Sequence, residues 1–127
     1  QGRSIVPLLQ GEKQTWPSEV FIQISESQVG RALRTHRWKY SVSAPDKHPK
    51  KDKGSSEYVE EFLYDLEADP YELTNLIAHE SHEKVRKHLR ERLKKRMLEA
   101  GEAEPVIHSM PNVRSGQRFV SEGEIYQ

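Results

Sequence analysis

The chain has no cysteine among its 127 residues, which excludes disulfides and a thiol nucleophile. No stretch approaches the ~20 apolar residues that a membrane-spanning helix needs. No secretory leader is visible, because the run Ser4–Leu9 is too short for an apolar leader core and only Arg3 precedes it. There is no Asn-x-Ser/Thr acceptor for glycosylation. None of these absences fixes a compartment. An excess of charge of either sign is also missing: 20 basic residues balance 20 acidic ones. Global charge therefore argues neither for nucleic acid nor for an anionic membrane as a partner, and the expected partners include neither.

Apolar residues are scarce as well, at 34% of the chain, against ~45–50% in globular chains on a count that includes glycine. A domain of this size buries only ~60–70% of its unfolded surface even at ordinary apolar content. The composition is that of one domain short of core. A subdomain leaning on a larger body explains it better than a free-standing unit does.

What is present divides the chain into three parts: a connector over residues 1–18, a subdomain over 19–101 and an extended tail over 102–127. In the connector, Ile5-Val6-Pro7-Leu8-Leu9 is a short apolar anchor that needs a partner surface, and Gly11 to Pro17 is polar and turn-prone. Val20 to Ile24 is β-branched and aromatic and predicts a strand. A second strand opens at Gly30 and runs from Arg31 to Thr35. A third covers Trp38–Ser43, with Trp38, Tyr40 and Val42 on one face by alternation. Ala44 to Ser56 carries two Pro, one Gly and four Lys and reads as a mobile surface loop. Tyr58 to Tyr64 predicts the fourth strand, which Pro70 prevents from continuing beyond the following turn.

Glu80 to Ala100 predicts a helix. Val85, Leu89, Leu93 and Met97 recur every four residues, with Leu98 beside them. Glu80–Lys84, Glu83–Lys87 and Glu91–Lys95 stand in the favoured i,i+4 order, and Gly101 is placed to stop the helix. The expected fold class is α+β: a four-stranded antiparallel sheet with one long C-terminal helix across one face. The helix stripe is expected to meet Trp38, Tyr40, Val42, Phe62 or Tyr64. The tail, with scattered apolar residues, is expected to wrap another surface.

Several groupings invite a chemical reading. His79-Glu80-Ser81-His82 approaches the zinc motif His-Glu-x-x-His but sets its histidines at i and i+3 instead of i and i+4; solvent-exposed residues at a helix start are the better account. The cations from Arg86 to Arg96 suggest phosphate binding, yet Glu83 and Glu91 interrupt them and no aromatic is interleaved, so they read as a solvated helix face. Asp65 and Asp69 flank a turn and are expected to accept backbone N–H groups, and no metal site is assigned. The polar set in and around the first strand connection is the best functional candidate. Ser25, Glu26, Gln28, Arg31 and Arg34 are the candidate substrate-cleft residues, with Arg31 or Arg34 able to offer a planar fork to a sulfate or carboxylate.

Three segments resemble the C-terminal subdomain of the sulfatase family, within the alkaline-phosphatase-like superfamily. They are Gly2-Arg3-Ser4-Ile5-Val6-Pro7-Leu8-Leu9-Gln10-Gly11, then Gly30-Arg31-Ala32-Leu33-Arg34-Thr35-His36-Arg37-Trp38-Lys39-Tyr40, then Leu63-Tyr64-Asp65-Leu66-Glu67-Ala68-Asp69-Pro70-Tyr71-Glu72-Leu73-Thr74-Asn75-Leu76. They occur in the family's order and cover roughly residues 2–100. The resemblance implies sulfate-ester hydrolysis by a formylglycine hydrate with a calcium ion. It also places that machinery upstream of all three segments. Ser43-Ala44-Pro45-Asp46-Lys47 only imitates the formylglycine motif, with Lys for Arg and in the wrong place, and the family's Asp-Asp and Asp-Asn or Asp-His pairs are absent.

The chain is thus expected to contain no catalytic residue, to be inactive alone, and to partner the missing N-terminal catalytic domain of the same protein. Ile5, Leu8 and Leu9 are expected to contact that domain. Loops of the subdomain would border the cleft for a sulfated small molecule or sugar, and the resemblance implies an extracytoplasmic, periplasmic or secreted setting. A phosphonate or phosphate ester hydrolase of the same superfamily, and a free-standing protein-interaction module, are the alternatives.

Overall fold

Alternation of apolar and polar side chains builds a five-stranded sheet: β1 (Val20–Ile24), β2 (Gly30–Arg34), β3 (Trp38–Ser43), β4 (Glu57–Asp65) and β5 (Val106–His108), in that spatial order. The structure, a computed structural model, describes residues 3–13, 15–112, 114 and 116–127. Gly2 of the first motif, Gln14 of the connector and two tail positions therefore lie outside the described residues. The helical elements are α1 (Val6–Leu9), α2 (Glu83–Glu99) and α3 (Glu122–Ile125), with a 3-10 turn over Glu80–His82 leading into α2.

The strands β1 to β4 form an antiparallel meander, as the alternation predicts. The fifth strand corrects the expected count. Val106–His108 lies parallel to the start of β4, so the sheet is mixed. Three residues are too few to show a strand period in sequence. A β-bulge at Ser41/Val42 admits one extra residue of β4, so Glu60 and Leu63 both face α2. Gly30 suits the close approach of β2 to β3: a Cβ there would stand a tight 3.1 Å from the Val42 carbonyl oxygen.

One face of the sheet carries the core. Trp38, Tyr40 and Val42 of β3, with Leu33 and Leu63, are buried against Val85, Leu89, Leu93 and Met97 of α2. Phe62 and Tyr64, which pair with Ser41 and Lys39, take the opposite face and stack on each other at 5.6 Å between centroids. They are not part of the helix contact. Leu98 also falls outside it, at 48% exposure. The helix ends in a Schellman arrangement: Gly101 adopts φ +86°, Gly101 N–H donates to the Leu98 carbonyl at 3.0 Å, and Glu102 N–H donates to the Met97 carbonyl at 3.0 Å. Of the expected helix pairs, Glu83–Lys87 forms at 2.6 Å, while Glu91 approaches Lys94 at 3.7 Å.

Beyond β5, the far tail wraps this domain's own surface. The Trp38 indole N–H donates to the Glu124 carbonyl at 2.8 Å, Ile125 is buried, and Val120 packs against the core. Two bulky groups, Trp38 and Arg37, offer the donors that hold it: Arg37 Nη1 meets Glu124 Oε1 at 3.1 Å. The turn before α2 is also more buried than its polarity suggests. Ser81 and His82 are enclosed, with the His82 ring edge-on to Trp38 at 6.0 Å. At the other end, Ile5 and Leu9 stand exposed at 57% and 78%, so the apolar anchor of the connector has no cover within the described residues.

Candidate functional site

Strand β2 separates the five residues singled out in the sequence. Ser25, Glu26 and Gln28 lie in the connection before its start, with Arg31 beside them, and Arg34 lies at its far end. At ~3.3 Å per residue, the length of β2 places Arg34 about 13 Å from that connection. Glu26 is exposed, the Ser25 carbonyl accepts Lys50 N–H at 2.7 Å, and the Gln28 amide donates to Glu61 Oε2 at 3.3 Å. Arg31 is only 3% exposed and is fully engaged: it donates to both Glu102 oxygens, to the Gly30 carbonyl at 2.7 Å and to the Lys53 carbonyl at 2.7 Å. Its guanidinium therefore ties the lysine-bearing loop and the segment after α2 to the sheet. That loop, read in sequence as merely mobile, is held by Ser25 and Arg31. Arg34 is exposed and has no ion-pair partner among the described residues.

Three hollows meet along Pro17–Val20. The largest, about 420 Å³, is lined by Arg3, Trp16, Phe21 and Arg96. The second, about 310 Å³, is lined by Thr35, His88, Arg92 and Tyr126. The third, about 210 Å³, is lined by Arg34, Thr35 and His36. Glu19 borders all three. Local structure explains this convergence: Thr35 N–H bonds the Trp38 carbonyl at 2.8 Å and Trp38 N–H bonds Thr35 Oγ1 at 2.9 Å, so the β2–β3 turn is tight and its side chains project at the sheet end.

The four arginines of α2 are ion-paired, while Lys84 and Lys95 face solvent as the sequence suggests. Glu60, whose side chain is 0% exposed, lies 3.6 Å from Arg86 and 3.6 Å from Arg90. Glu19 lies 2.7 Å from Arg92 and 3.0 Å from Arg96. Each carboxylate thus spans two arginines one helical turn apart, because i and i+4 share a face. Sequence reading missed both carboxylates; the signal was the doubled Arg spacing, Arg86/Arg90 and Arg92/Arg96, which sets two guanidiniums side by side where one carboxylate can meet both. Burial, and then the Glu60 charge, push the Tyr40 hydroxyl well above its ordinary pKa, so it stays a proton donor. Burial lowers His88, and the neighbouring Arg92 lowers it further.

The Leu63–Leu76 stretch has a structural role that its polar residues explain. Asp65 Oδ1 accepts N–H bonds from Glu67 and Ala68 at 3.2 Å each, and Asp65 takes Arg37 as a two-point partner at 3.0 and 2.8 Å. Asp69 accepts Thr74 N–H at 2.8 Å. Asn75 closes the edge of β4, accepting from Leu63 N–H at 3.1 Å and donating to the Glu61 carbonyl at 2.9 Å. Among the described residues no group of three or more His, Asp or Glu is placed to hold a metal ion.

The meander with one long helix is also found elsewhere. A crystal structure of a "putative sulfatase" from Bacteroides thetaiotaomicron resembles it with a TM-score of 0.61 and 26% identity, over 80% of this chain and 20% of that chain. The present chain thus spans about a fifth of that one. No curated protein matches the sequence. A family model described as N-sulphoglucosamine sulphohydrolase, C-terminal, matches residues 1–99. With most of its length covered by that model, the chain belongs to this family of sulfatase C-terminal subdomains.

Proposed function

We propose that this chain is the wall-forming C-terminal part of a sulfuric-ester hydrolase, completing the fold of an N-terminal catalytic domain and bordering its substrate cleft. The match of residues 1–99 to the sulphohydrolase family carries this reading. Two features of the molecule support it: the exposed apolar Ile5 and Leu9 of the connector, and a polar connection at Ser25–Gln28 that presents Glu26 to solvent on a rigid meander. The cleft residues in this reading are Ser25, Glu26 and Gln28, with Arg31 holding the neighbouring loop and Arg34 standing apart. The substrate is a sulfated small molecule or sugar. The formylglycine nucleophile and the calcium ion belong, in this proposal, to the catalytic domain. A hard cation needs several converging oxygens, and the oxygens of Asp65 and Asp69 serve backbone N–H groups here.

The test is hydrolysis by the longer polypeptide that contains this chain. Turnover of an aryl sulfate, lost when the upstream Cys or Ser of a formylglycine motif is replaced, supports the reading. Preference for an aryl phosphate or phosphonate ester would reassign the protein to a phosphoryl-type hydrolase of the same superfamily. A native gene with no catalytic region upstream would leave an interaction module and overturn the proposal.

A further inference from the structure

The two smaller hollows adjoin, sharing Ser18, Glu19 and Thr35 as their common floor. Together they form a notch at the end of the sheet opposite the Ser25–Gln28 connection. Its charged and titratable side chains are two arginines, Arg34 and Arg92, two histidines, His36 and His88, the Tyr126 phenol and one carboxylate, Glu19, and Gln127 also lines it. That carboxylate is already satisfied. Glu19 is 8% exposed, Arg92 donates to its two oxygens at 3.2 and 2.7 Å, and Arg96 stands at 3.0 Å.

Arg34 is the arginine of this lining that holds no carboxylate among the described residues. The neighbouring Arg31 and Arg37 each hold a carboxylate, Glu102 and Asp65, at 2.6 and 2.8 Å. Arg34, between them in sequence, is paired with none among the described residues and rims the hollow. The far tail closes the opposite side: the Tyr126 ring meets His88 edge-on at 4.9 Å. A guanidinium fork beside imidazole and hydroxyl donors fits a compact oxyanion, because Arg presents two parallel N–H groups to such oxygens.

We propose that this notch is a binding site for a tetrahedral oxyanion of the sulfate or phosphate class, held by Arg34 with His36, His88 and Ser18 around it. His88 lines the notch, and burial and Arg92 hold its pKa below the ordinary value. The notch lies at the sheet end opposite the Ser25–Gln28 connection.

The experiment is an NMR titration of the 127-residue chain with sodium sulfate and sodium phosphate, against sodium chloride at equal ionic strength. Saturable shifts at the His36 and His88 rings and the Ser18 and Thr35 amides, absent with chloride, are expected. Arg34→Gln, an exposed change that leaves the core intact, should weaken binding at least about tenfold, which is about 1.4 kcal/mol. Lys53→Gln on the distant loop should leave binding unchanged. Glucose 6-sulfate binding tighter than inorganic sulfate assigns the site to a sugar-borne group; equal binding assigns it to the free anion. Shifts that match chloride, or that survive Arg34→Gln, overturn the proposal. Because the readout is binding and not hydrolysis, this outcome is independent of whether the longer protein cleaves sulfate esters.

Discussion

The Tyr40 hydroxyl donates a 3.0 Å hydrogen bond to Glu60 inside the seam between sheet and helix. Glu60 is enclosed on every side: Arg86 and Arg90 approach from α2, and Met110 N–H donates to its second oxygen at 3.2 Å. This is a buried carboxylate with two hydrogen-bond donors and two guanidinium groups beside it. Removing one member of such a set leaves the others uncompensated in a low-dielectric site, at a cost of about 3–5 kcal/mol. Glu60→Gln should therefore lower stability by about that amount in urea unfolding. Tyr40→Phe, which removes one bond to a charged acceptor, should cost about 1.5–3 kcal/mol. An E60Q midpoint within error of wild type, at equal m-value, would sink the idea that this carboxylate anchors the helix.

Gly101 makes a smaller and cleaner prediction. Its φ of +86° suits glycine, and an added Cβ would meet nothing within 4 Å. Gly101→Ala therefore adds backbone strain without a clash, about 1–2 kcal/mol. Leu98→Ala, at an exposed neighbouring position, should be near neutral. Equal melting temperatures for G101A and wild type would show that the helix end does not need the left-handed conformation.

The sequence made α2 and its stop legible because a period of four apolar residues and a terminal glycine are local signals. The meander was legible for the same reason: alternation over five or more residues is long enough to register. What stayed hidden depends on distant partners. Val106–His108 is a strand only because the open edge of β4 accepts it. His82 is enclosed with its ring edge-on to Trp38, 44 residues away, and Arg31 is buried because Glu102, 71 residues away, turns back after Gly101. The candidate cleft residues stand within ten positions of one another in sequence, yet a five-residue strand puts Arg34 at the other end of the sheet.

Acid should loosen the fold in two steps, whose signs follow from the directions of two pKa shifts. His82 lies below its ordinary value, chiefly through burial. Its unfolded form, near 6.5, takes a proton before the folded form does, so stability is full above about that pH and declines as pH falls below it. Asp65 acts lower. Burial opposes its ionisation, but the hydrogen bonds from Arg37 and from the Ala68 and Glu67 backbone outweigh that, and its pKa is depressed. Its contribution is present above the unfolded value, near 3.9, and is lost as pH falls through the folded one. Urea midpoints between pH 8 and pH 3 should fall in both ranges. His82→Gln should weaken the upper decline, to which the lowered His88 also contributes, and Arg37→Gln should weaken the lower one. A profile identical in all three proteins would rule out these groups as its source.

Arg31 gives the test that separates a positioning residue from a ligand-binding one. Its guanidinium holds Glu102 at 2.6 Å and the Lys53 carbonyl at 2.7 Å, linking β2 to the lysine loop and to the chain just beyond α2. Lysine cannot reproduce that fork, since a single ammonium offers no planar pair of donors. Arg31→Lys should therefore release the loop while leaving the Trp38–Leu93 core in place. Limited trypsin digestion reads this directly: cleavage after Lys53 should accelerate at least about tenfold in R31K, by the ~1.4 kcal/mol of local opening that such a rate ratio represents. Cleavage after Lys13 in the connector should not change. Arg34→Lys, at an exposed position with no partner, should leave the whole pattern as in wild type. If R31K digests like wild type, the loop is held by its other bonds, Lys50 to Ser25 and Ser55 to Tyr58 among them, and the Arg31 side chain is free to be considered again as a group that faces substrate.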